Sequence, residues 1–123
     1  VEVYDPQADS WQWVASMPRG LCYHAAAAMG GKIYVTGGTN RGAPVSSVSV
    51  YDPQADAWTQ LASMGTARRL HASAVVDGKL YVFGGRDANK RLSTAEIYDP
   101  ALGSWAQVSN LASTCTGMVA VAL

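Results

Sequence analysis

The chemistry this sequence offers lies mainly in its arginines: Arg19, Arg41, Arg68, Arg69, Arg86 and Arg91. They fall in short stretches of glycine, alanine and polar residues, alongside Asn40, Asp87 and Asn89, rather than inside apolar runs. A guanidinium presents a planar fork to carboxylates and stacks on aromatic rings. Several forks around one rim suit an acidic peptide or protein loop. The plainer reading is that surface arginines keep the chain soluble. His24 and His71 lie 47 residues apart, but a metal centre usually wants three or four ligands. Repetition of the sequence explains them more cheaply, and no metal site is expected. Cys22 and Cys115 are too few for a disulfide scaffold and lack metal-motif spacing. They read as buried free thiols, and their scarcity is compatible with the cytosol. No nucleophile–base pair, paired carboxylates or phosphate-cradling glycine loop is present. Neither catalysis nor a cofactor is expected of these residues.

The elements that must position the arginines are bounded by size. The chain has 123 residues, one ordinary domain or less. It is 49% hydrophobic, enough for a packed core. Nine basic residues balance nine acidic ones, which argues against a nucleic-acid partner, since that needs a basic face. The longest apolar runs, such as Leu80–Phe83 and Met118–Leu123, fall far short of the roughly 18 residues of a membrane span. The chain starts at Val1, in the middle of a pattern and without a leader sequence, so it reads as a piece of something longer.

That pattern is an internal repeat of 47 residues. Tyr-Asp-Pro recurs at Tyr4–Pro6, Tyr51–Pro53 and Tyr98–Pro100, and tryptophan at Trp11, Trp58 and Trp105. Gly37–Gly38 returns as Gly84–Gly85, and Val3–Asp9 returns verbatim as Val50–Asp56. Within one period the signals are those of strands. Lys79–Phe83 and its earlier copy Lys32–Thr36 are β-prone and end at, or just before, Gly-Gly. Small-residue runs, His24–Met29 and His71–Val76, precede them, joined through hairpin turns at Gly30–Gly31 and Asp77–Gly78. An alternating strand, Ser47–Tyr51 or Thr94–Tyr98, follows and is stopped by Asp-Pro. A last strand carries the tryptophan, as in Ala57–Ala62. Each period is thus four short antiparallel strands.

The ordered set of apolar strand, Gly-Gly, loop, Tyr-Asp-Pro and Trp resembles the kelch repeat over essentially the whole chain. The resemblance implies an all-β fold, a partial kelch-type β-propeller built of four-stranded antiparallel blades. The expected division is a partial blade at 1–17, blades at 18–64 and 65–111, and the first strand of a further blade at 112–123. About eleven strands result, too few to close a ring of typically four to eight blades. Either the chain is part of a longer product, or copies associate to complete the ring.

The resemblance also implies where binding occurs. In kelch-like substrate adaptors, arginine and polar residues of the second-to-third-strand loops and of the inter-blade loops hold the bound peptide. Here those loops are Thr39–Val45 and Arg86–Leu92, and Pro18–Leu21, Gly65–Arg69 and Ala112–Thr114. The implied partner-binding residues are Arg19, Asn40, Arg41, Arg68, Arg69, Arg86, Asp87, Asn89 and Arg91. The implied function is protein–protein recognition, in the adaptors' case substrate recruitment to a cullin-type ubiquitin ligase through a separate BTB domain. The alternatives are the non-catalytic part of a kelch-propeller enzyme, carbohydrate-active or copper radical oxidase, and an actin-binding or scaffolding kelch protein.

Overall fold

The 47-residue period is matched by a period in hydrogen bonding. A computed structural model describes residues 1–121, and among these every regular element is a strand. A hairpin, β1 (Glu2–Asp5) and β2 (Ser10–Trp13), comes first. The first blade comprises β3 (Ala25–Met29), β4 (Lys32–Thr36), β7 (Val48–Asp52) and β8 (Ala57–Leu61), paired in that order. Between β4 and β7 the loop folds into a miniature hairpin, β5 (Thr39–Asn40) and β6 (Ala43–Pro44). The second blade repeats the plan with β9 (Ala72–Val76), β10 (Lys79–Phe83), β11 (Ala95–Asp99) and β12 (Ser104–Val108). All pairings are antiparallel.

The turns follow from their residues. Gly30–Gly31 and Asp77–Gly78 all take positive φ, the conformation a two-residue hairpin turn requires. At the outer edge, Asp52 Oδ1 accepts the N–H of Gln54, and Asp99 Oδ1 that of Ala101. These are Asx turns that the following proline reinforces. Each aspartate is also bridged by a lysine of the second strand, Lys32–Asp52 at 3.5 Å and Lys79–Asp99 at 3.4 Å.

The core lies between blades rather than inside one. Met29, Tyr34 and Val50 of the first blade pack with Leu80 and Tyr98 of the second, and Trp105 closes over them. A second cluster joins Val48 and Met64 to Val82. The tryptophans also hydrogen-bond across the junction. Trp58 Nε1 donates to Ala15 O at 2.8 Å, and Trp105 Nε1 to Ala62 O at 2.9 Å. In the first junction Asp56 Oδ1 accepts both Tyr51 Oη–H and Ala15 N–H. These bonds hold its carboxyl below the ordinary carboxylate range. Gly103 takes that place one period on, so the second junction lacks the carboxylate.

One expectation changes. The segment from Cys115 was expected to be an innermost strand, but residues 115–121 form no ladder. Residues 122 and 123 lie outside the described residues. The face carrying Tyr4, Trp11 and Trp13 is exposed, with Trp13 at 79%. Its counterparts Tyr51 and Tyr98 are buried, Tyr98 in the cluster shared with the preceding blade.

The Gly-Gly pairs are where one blade admits the next. Gly38 N–H donates to Arg68 O, and Gly85 N–H to Cys115 O. A Cβ on Gly37 would strike Arg68 O and come within 2.8 Å of His71 Cε1. Gly42 also has a positive φ, 86° against 56° at Gly37, but nothing near its missing Cβ. Gly37→Ala should therefore cost on the order of 3 kcal/mol, and Gly42→Ala only the backbone strain of about 1–2 kcal/mol. Paired melting curves check this, and equal losses would refute the close approach.

Candidate functional site

The loop ends of the blades are built from one recurring device. In the first blade, Cys22 and Thr39 exchange both backbone hydrogen bonds, and Thr39 pairs across the miniature hairpin with Pro44. One period later Arg69 and Arg86 exchange both bonds, at 3.0 and 2.9 Å, and Arg86 pairs with Arg91. The ladder is the same, but Cys22–Thr39–Pro44 has become Arg69–Arg86–Arg91. Directly paired residues on adjacent strands point to one face, so three guanidinium groups share a face. Their neighbours alternate to the other side, where Arg68 and Leu92 are buried.

Like charges set directly opposite destabilise a sheet. None of the three arginines enters an ion pair or a side-chain hydrogen bond among the described residues. Arg69 and Arg86 are half-buried and Arg91 is exposed. The Nε atoms of Arg69 and Arg86 are shielded from water and have no partner. The stems are thus held by packing while the forks make no ion pair.

The remaining expected site residues divide. Asp87 Oδ1 accepts the N–H groups of Asn89 and Lys90, both at 2.8 Å, and closes its own turn. Those two backbone bonds hold its carboxyl below the usual range. Asn40 Nδ2 donates to Gly20 O at 2.9 Å and ties two loops of the first blade together. Arg19, Arg41 and Asn89 are exposed, Arg41 at a φ of 49°.

Arg68 does not belong with them. Its side chain is fully buried. Nη1 donates to Gly84 O at 2.8 Å and Thr94 O at 3.1 Å, and Nη2 to Glu96 Oε2 at 2.8 Å. Glu96, equally buried, also accepts Gly65 N–H at 2.6 Å. The backbone of Arg68 meanwhile bonds to Gly38 and Val45 of the first blade. Arg68 is therefore a staple between blades, with its charge spent internally. Glu96 was missed altogether. The signal was there: one period earlier the same places hold Leu21 and Ser49, so both residues depart from the repeat together and with opposite charge. Leu21 and Ser49 instead line a cavity of about 10 Å³, about one water in size.

The staple gives a stability prediction. Glu96→Ala leaves a buried guanidinium unpaired and should cost about 3–5 kcal/mol. The pair Arg68→Leu with Glu96→Ser, which installs the residues of the first junction, should recover most of that loss in urea unfolding. Equal destabilisation by single and double variants would contradict the staple.

The histidines are unlike. His24 is exposed, and His71 is buried with Nε2 2.8 Å from Thr36 Oγ1. Burial first, then the charge of Arg68, pushes His71 down to about 3. No group of three or more potential metal ligands occurs among the described residues. The cysteines correct an expectation, since Cys22 is exposed and Cys115 half-buried. Each lies in an inter-blade connection rather than in the core.

Because the folded His71 value lies below the unfolded one, near 6.5, the unfolded chain binds the extra proton between them. Stability is then full above about pH 6.5 and falls as pH drops toward 3. Stability of the wild-type chain in urea should fall from pH 7 to 5, and His71→Gln should flatten that slope. An unchanged slope would exclude His71 as its source.

Four-stranded antiparallel blades, joined through Gly-Gly pairs and inter-blade tryptophans, define a partial kelch-type β-propeller. The family model of the KLHDC2/KLHL20/DRC7 Kelch-repeats domain matches residues 2–121, and the chain belongs to this kelch-repeat family. No curated protein matches the chain. Kelch-repeat domains are generally protein-interaction modules.

Proposed function

We propose that the loop rim of the second blade recognises an acidic segment of a partner protein, with Arg69, Arg86 and Arg91 receiving the carboxylates. One observation carries this reading: a ladder that holds Cys22, Thr39 and Pro44 in one blade holds three arginines outside any ion pair in the next. Copying of the repeat does not explain that exchange. Nor does solubility, which does not require three like charges on paired positions. Arg19, Arg41 and Asn89 extend the rim, while Asn40 and Asp87 shape its loops. Arg68 is left out of the site. On this reading the chain is a non-catalytic recognition module. The style of the repeat supports the finer proposal that it selects substrates for a cullin-type ubiquitin ligase.

Fluorescence anisotropy with a labelled hexaglutamate peptide tests the rim. Binding should weaken as salt rises, and Arg86→Ala should reduce affinity at least tenfold with the melting temperature little changed. Arg91→Ala, at an exposed position, gives the same test if Arg86→Ala proves unstable. Wild-type affinity in both variants would remove the ladder from the site.

A further inference from the structure

We propose that the Arg69–Arg86–Arg91 ladder is a phosphate-monoester site that takes a phosphorylated serine or threonine side chain of the partner. The inference rests on reading this rim as a partner-binding surface and narrows what it binds.

The molecule itself shows what one carboxylate needs. Glu96 is satisfied by a single guanidinium, that of Arg68, and the backbone N–H groups of Gly65 and Thr66. On the ladder, three arginines occupy directly paired positions and none of them enters an ion pair, although Asp87 lies near enough for the charge of Arg86 to help lower its carboxyl. Asp87 and Lys90 are the next pair along the hairpin, bonded through Asp87 N–H to Lys90 O. By strand alternation their side chains project to the opposite face. One carboxylate would leave the arginine face two charges in excess. A phosphate monoester carries about −1.5 to −2 charge at neutral pH and three acceptor oxygens, one for each fork. Guanidinium forks pair with such oxygens in bidentate fashion. The packing that shields the Nε atoms of Arg69 and Arg86 holds two of the forks in place before the ligand arrives. Binding therefore loses less side-chain freedom than at a fully exposed arginine.

The experiment titrates the 123-residue chain with N-acetyl-phosphoserine amide and, separately, N-acetyl-glutamate amide. The readout is the NMR Nε–H resonances of Arg69 and Arg86. Phosphoserine should half-saturate these shifts at a concentration about tenfold lower than glutamate. Arg86→Lys, which keeps the charge but not the fork, should abolish the preference. Arg91→Lys serves the same purpose if Arg86→Lys fails to fold. Equal response to the two probes would overturn the phosphate assignment and leave the acidic-partner reading standing. If neither probe moves the resonances, the phosphate assignment falls, and hexaglutamate binding then decides whether the rim reading falls with it.

Discussion

The structure depends on backbone meeting backbone where one blade joins the next. The amide of Gly38 reaches Arg68 O and that of Gly85 reaches Cys115 O, and a Cβ on the preceding Gly37 or Gly84 would crowd these same carbonyls. Only glycine combines the positive φ with the missing Cβ that this contact demands. The rest follows from that approach. The inter-blade connection is pinned beside the second-to-third-strand loop, so the two run as neighbouring strands at the blade's end. Tyrosine, tryptophan and leucine side chains then meet across the junction and build the core there. A smaller link recurs near the innermost strands, where Leu70 N–H donates to Tyr23 O and Gly117 N–H to Leu70 O. All three of these residues have positive φ.

Much of this was legible in the sequence because the forces behind it are local or periodic. Asp-Pro, Asp-Gly and Gly-Gly carry their backbone geometry in their own chemistry, and each recurs at a fixed step. Strand positions followed to within a residue or two. The end of the chain was read less well, since Thr116–Val121 has the composition of a strand but joins no ladder. Composition describes a residue's preference, whereas a ladder is a property of two segments.

The site was legible as a region and illegible as an assignment. Loop position alone made Arg68 and Arg69 look equivalent. Adjacent residues on an extended backbone face opposite ways, so one is buried on Glu96 and the other stands at the rim. The partner of a buried charge lies 28 residues away in Glu96 and is visible only when the two periods are compared position by position. The pairing of Arg69 with Arg86 and Arg91 likewise needs the register of three short segments, which no local signal supplies. Asp87 and Asn40 have the residue types of a binding site, yet both are occupied in holding their loops.

The exchange of Leu21 and Ser49 for Arg68 and Glu96 leaves the chain with two unlike joints. One keeps a small void beside Leu21 and Ser49 and is tied by hydrogen bonds to Ala15, the other adds a buried ion pair to an apolar junction. The dehydration penalty of buried charges shrinks on heating, whereas apolar burial levels off. Warming therefore favours the second joint over the first. On that ground the hairpin is expected to come away before the two full blades part, and the ladder of three arginines would keep its supporting architecture as melting begins.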